Sequence, residues 1–207
     1  MTGKTHIGVG LLTAVVIMDK QGIGITPLSI LICIFASILP DADHPKGVFN
    51  KYLLPVRNKT VKLAIYLGLG ATIIGMNYLY FSKPYLYGLG TVLIMIGVSS
   101  HREGITHSLI GFIAIVYIVG YGSQGIDALE RKRIIVSLIA GYGSHLLGDM
   151  FTNRGVPLFY PFNKKKFKMP ATFKVGSGVG NLIEGIIIAL GIIYLTFKIP
   201  MMVINMN

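Results

Sequence analysis

The chain has 207 residues, 53% of them hydrophobic and only 13% charged, with a mean hydropathy of +0.68 and a formal net charge of +11. Soluble domains carry about 25% charged residues, so this composition lacks the charge to cover a water-facing surface and predicts an all-α integral membrane bundle, one domain over 1–207. Its one cysteine, Cys33, excludes a disulfide framework and a thiolate zinc site, and the basic excess lies in loops without a nucleic-acid motif, which excludes a nucleic-acid partner in favour of anionic membrane headgroups.

Apolar runs cover roughly residues 6–18, 22–39, 61–81, 85–100, 105–122, 134–151 and 182–204, which predicts seven helices, with six as the alternative. Lys4 followed by an apolar run resembles a signal peptide, but no small-residue cleavage pattern follows, so the N-terminus is expected to be retained. Alternating the loops between two sides places His6 at the start of the first helix on one side, here called X. The second run stops at Pro40, which would break a helical ladder, and leaves Asp41, Asp43 and His44 at X. The loop from Lys46 to Lys62 carries Lys46, Lys51, Arg57, Lys59 and Lys62 and no acid. His101, Arg102 and Glu103 follow the fourth run, and His107 is expected in the first turn of the fifth helix. The sixth run ends on His145 and Asp149, one helical turn apart on one face. Residues 153–180 form the longest stretch without an expected helix, basic and aromatic, suited to an anionic membrane surface. Glu184 begins the last helix, again at X.

All five histidines therefore fall at X together with Asp41, Asp43, Asp149 and Glu184, and so do thirteen of the nineteen Lys and Arg residues. The positive-inside rule makes X cytoplasmic, which puts a polar cluster at the cytoplasmic face of a multi-pass membrane protein. Imidazoles and carboxylates without thiolates suit a divalent transition metal, zinc first, with manganese or iron as alternatives. The ligand set read from the sequence is His6, Asp41, Asp43, His44, His101, His107, His145, Asp149 and Glu184, more than one four-coordinate ion needs, so two or three ions are expected. Two ions about 3.5–4 Å apart can activate a water and clamp the oxygens of a phosphoester. Arg102 and Arg154, and Lys46 beside them, would neutralise phosphate oxygens, and Glu103 or Glu184 would protonate a leaving group. The paired glycines at Gly68 and Gly70, Gly88 and Gly90, and Gly176, Gly178 and Gly180 follow no strand and read as packing or loop residues rather than a dinucleotide site.

Thr5-His6, Leu39-Pro40-Asp41-x-Asp43-His44-Pro45, His101-Arg102 through Thr106-His107-Ser108, and Gly141-Tyr142-x-Ser144-His145-x3-Asp149-x2-Thr152 with Gly155-Val156-Pro157-Leu158 resemble the YdjM family of membrane-bound metal-dependent hydrolases of bacteria and archaea. The resemblance implies a helical inner-membrane protein with a hydrolytic metal site, and a more distant likeness to zinc-dependent phospholipase C. The chain departs from the family pattern H-R-G-x-T-H-S by Glu103, inserted between Arg102 and Gly104, which shifts His101 relative to His107. The expected activity is metal-dependent hydrolysis of a phosphoester in a lipid or lipid-linked substrate. A metal or proton transporter and a non-catalytic membrane stress-response partner are the alternatives; the first is disfavoured because the middles of helices two, three, four and seven carry no Asp, Glu or His.

Overall fold

A computed structural model describes residues 1–44, 47–56, 58–99 and 104–204. Among these, the secondary structure is helical apart from one isolated parallel bridge between Thr152 and Phe173. The helices are α1 (Gly3–Lys20), α2 (Pro27–Ile38), α3 (Val48–Leu53), α4 (Lys59–Met76), α5 (Pro84–Val98), α6 (Leu109–Gly122), α7 (Ala128–Met150) and α8 (Gly178–Ile204). Each of the seven apolar runs lies mainly in a helix. The short α3 falls inside the stretch expected to be a basic loop, and tertiary bonds account for it: the Asn50 amide donates to the carbonyls of Ala42 at 2.7 Å and His44 at 2.9 Å.

The chain forms two compact units. The first comprises Met1–Ile38, Ile126–Gly155 and Lys166–Asn207, and the second Leu39–Gly125 and Val156–Lys165. In the first, α7 packs on α1 and α2, and α1 packs on α8. Val15, Met18, Ile23, Ile25 and Met202 form one apolar core, and Ala14, Cys33 and Ala140 another. Small residues set how near α2 and α7 come. A Cβ on Gly141 would stand 2.6 Å from the Cys33 carbonyl oxygen and 2.9 Å from Ala36 Cβ. One turn beyond Gly141, the same close approach brings the Ser37 carbonyl to His145.

In the second unit α4 packs on α5, and α5 on α6. The second apolar run ends as expected at the proline: α2 stops at Ile38, and Leu39–Asp43 continues as a tight 3-10 turn that carries Asp41 and Asp43. Two expectations need correction here. His107 does not open a long helix but lies on its own 3-10 turn, Ile105–His107. Ser108 separates the two because it is extended and caps α6, its hydroxyl accepting from the Gly111 amide at 3.2 Å. Lys62 is not a loop cation either; it is buried in the first turns of α4.

Among the described residues, two helical stretches are long and apolar enough to cross a bilayer: Lys59–Phe81, of 23 residues, and Gly178–Val203, of 26. Their apolar side chains turn mostly outward, with Leu79, Leu182, Leu190 and Phe197 all exposed. An outward face of this kind suits acyl chains rather than water. The side chains of His6, Asp43, His107, His145 and Asp149 are by contrast buried.

Replacing Gly141 by valine is expected to force α2 off α7 and to lower stability by roughly 1–3 kcal/mol. Thermal unfolding of the detergent-solubilised protein, followed by helical circular dichroism, should show the midpoint falling. An unchanged midpoint would mean that the close approach is not needed.

Candidate metal centre

The first unit buries an imidazole pair and a carboxylate together. His6 sits near the start of α1, while His145 and Asp149 lie on one face of the last turns of α7, as the i,i+4 spacing predicts. His6, His145 and Asp149 are all buried. The two imidazoles stack, their ring centroids 3.7 Å apart and their planes 13° from parallel. His6 Nε2 is 3.3 Å from Asp149 Oδ1, and His145 Nε2 is 3.8 Å from Asp149 Oδ2. The Met1 ammonium lies 2.5 Å from the same Oδ1.

The tautomer of His145 follows from its other nitrogen. Nδ1 is 2.7 Å from the Ser37 carbonyl oxygen, which can only accept, so Nδ1 carries a proton, and in the neutral imidazole Nε2 presents a lone pair. A carbonyl holding the far nitrogen of an imidazole is the usual support of a metal-ligating histidine. Ligand atoms of His6 and His145 come within 4.8 Å of one another, as do those of His145 and Asp149. Two imidazole nitrogens and a carboxylate oxygen at such separations fit a divalent transition ion by donor type and number.

The second unit repeats the chemistry with different elements. Asp43 and His107 are buried and Asp41 is half-buried. His107 Nδ1 is 3.5 Å from Asp43 Oδ2, and Nε2 is 3.8 Å from Asp41 Oδ1. The Thr106 hydroxyl gives its one proton to Asp43 Oδ2 at 2.7 Å and lies 3.3 Å from His107 Nδ1. That proton being spent, the contact is satisfied when Nδ1–H donates, which again leaves Nε2 directed at an aspartate. Among the described residues, Asp41 and His107 each belong to a His/Asp group whose ligand atoms lie close enough together to hold a metal ion.

Glu184 has other partners. Its carboxylate accepts from the Thr2 amide at 3.1 Å, the Thr2 hydroxyl at 2.6 Å and the Thr5 hydroxyl at 2.6 Å. It therefore supplies negative charge and acceptors at the N-terminus of α1, where amides lack helical partners. The His44 carbonyl is bonded by Asn50, and the residue is half-buried. Arg154 is exposed. Lys46, His101, Arg102 and Glu103 lie outside the described residues.

Sequence reasoning gave no role to Thr106, Ser37 or Thr5. Thr106 was visible beside His107 in the motif, whereas the Ser37 carbonyl is main chain and leaves no mark in residue type. Lys62 had a signal that went unused, a cation inside an apolar run with Tyr66 one turn later on the same face.

An all-helical protein with bilayer-length apolar helices and buried His/Asp groups able to hold a metal ion is the class so defined. The family model described as YdjM inner membrane protein matches residues 1–205, and the chain belongs to that family, whose place is the inner membrane. Two curated relatives, both named inner membrane protein YdjM, from Escherichia coli (strain K12) and Shigella flexneri, are each 30% identical over 151 residues, 70% of this chain. The chain spans about half the length of these relatives, 53% of each. No solved structure matches.

Glu184→Ala is expected to cost about 1–2 kcal/mol through loss of the acceptor at the α1 N-terminus. Hydrogen exchange should then quicken at the Thr2 amide and through the first turn of α1. Exchange as slow as in the parent protein would show that the carboxylate does not hold this helix end.

Proposed function

We propose that this protein is a multi-pass, membrane-embedded metal-dependent hydrolase that cleaves a phosphoester of a lipid or lipid-linked substrate at the cytoplasmic face. The observation that carries the reading is the buried, stacked pair of His6 and His145 against Asp149. Ionisable side chains are costly in a membrane helix unless they are used, and here the far nitrogen of His145 is fixed so that Nε2 faces inward. His6, His145 and Asp149 would hold one ion, and Asp41, Asp43 and His107 a second, with zinc preferred over manganese or iron. A divalent ion so held supplies a Lewis acid and acidifies a water at neutral pH.

The chain's own residues do the remaining work. The Ser37 carbonyl keeps the His145 proton on Nδ1, and Thr106 keeps the Asp43 carboxylate turned to His107. Asp149, being buried, is shielded from the screening that weakens surface charges. Arg102 would neutralise phosphate charge and Glu103 would give a proton to the leaving group, with Glu184 supporting the helix that carries His6. The outward apolar faces of α4 and α8 favour a substrate whose acyl or isoprenoid chain stays in the bilayer.

Elemental analysis of the purified protein is expected to find up to two equivalents of transition metal, zinc foremost. His145→Ala and Asp43→Ala should each remove one equivalent and lower phosphate or headgroup release from lipid phosphates by at least about 100-fold. Metal below one equivalent in the parent protein, or unchanged content in both variants, would overturn the proposal. Metal-dependent flux into liposomes without phosphate release would favour transport instead.

A further inference from the structure

Lys62 is buried to 2% exposure, and its ammonium donates to three main-chain carbonyls: Asp43 at 2.8 Å, Ile96 at 2.8 Å and Ser99 at 2.6 Å. An ammonium has three protons, and all three are committed. Taking such a charge out of water is costly unless hydrogen bonds repay it, so a position that needed only to fill space would be served by methionine. Two neighbours extend the same grip. Tyr66, one turn along α4, donates its hydroxyl to Asn50 Oδ1 at 2.9 Å, and the Asn50 amide holds the Ala42 and His44 carbonyls. The carbonyls of three consecutive residues, Ala42, Asp43 and His44, are thus all held by side chains from α3 and α4. Asp43 is gripped at both ends, its carbonyl by Lys62 and its carboxylate by Thr106.

We infer that Lys62, with Asn50 and Tyr66 behind it, is a positioning residue that fixes the Asp41–His44 turn so that both aspartates present their carboxylates to one cation. The inference rests on the proposed metal site of the second unit and adds to it a set of residues outside the ligand sphere. It carries a sign that electrostatics alone would reverse. A buried ammonium repels a nearby cation, so if charge were its main influence, removing it would tighten metal binding. If it holds the turn, removing it weakens binding, by about 10- to 100-fold as for other supports of metal ligands.

The test is zinc affinity of the full chain in detergent, measured by competition with a chelating dye at temperatures where helical circular dichroism shows the variants folded. Lys62→Met is expected to weaken the Asp43-dependent site by about 10- to 100-fold while leaving the His145-dependent equivalent in place. Lys62→Gln, which keeps two donors without the charge, should lie between it and the parent protein. Tyr66→Phe, a milder change that leaves every ligand and Lys62 itself in place, should weaken the same site by a smaller factor. Unchanged or tighter zinc binding in Lys62→Met and Tyr66→Phe would overturn the inference. If Lys62→Met does not fold, Tyr66→Phe alone decides it. A parent protein that binds no zinc, or in which Asp43→Ala and His107→Ala remove none, would overturn the metal reading itself; loss in those two variants without loss in the Lys62 and Tyr66 variants overturns only the positioning role.

Discussion

A carboxylate buried inside a helical unit needs compensation, and Asp149 is such a group. Fully enclosed, it would be prohibitive without donors or cations facing it. The first unit supplies them from separate places: His6 from α1, His145 from the preceding turn of α7, and the Met1 ammonium. Each places a demand on the packing around it. His145 can turn Nε2 toward Asp149 because its Nδ1–H donates to the Ser37 carbonyl, and Ser37 is near enough because Gly141 lets α2 lie against α7. Glu184, through Thr2 and Thr5, secures the end of α1 from which His6 projects.

The second unit meets the same constraint by other means. Asp43 is also fully buried, but its compensation comes from short elements rather than long helices. Thr106 and His107 stand on a 3-10 turn, and Asp41 and Asp43 on another. Short turns have few internal hydrogen bonds to hold them, and their main-chain carbonyls need partners. Lys62 and Asn50 provide these. The buried lysine is thus explained by the turn it serves rather than by an ion pair.

In both units His and Asp side chains are buried while long apolar helix faces are exposed. For a member of an inner membrane family this arrangement would let the proposed hydrolytic site and a lipid tail meet without either entering an unfavourable medium. The curated relatives extend well beyond the matched region, so the proposed activity concerns the part of those proteins that this chain resembles.

Much of the fold is legible in the order of residues alone. Seven apolar runs become helices because length and hydropathy decide that locally, and Pro40 ends the second because its ring breaks the ladder wherever it occurs. The His145 and Asp149 pair is legible too, since 3.6 residues per turn puts positions four apart on one face. What the sequence does not specify is how each side chain's remaining valences are spent. Glu184 reads in the sequence as ligand or as acid, and only the arrival of Thr2 and Thr5 makes its carboxylate an acceptor at a helix end. The apolar run around His107 is continuous and predicts one long helix, whereas Ser108 caps α6 one residue later. Lys62 reads as one more loop cation until three distant carbonyls converge on it. Helix periodicity is a property of neighbours in the chain, but partnership in a buried hydrogen bond is a property of neighbours in space, and tertiary packing alone decides that.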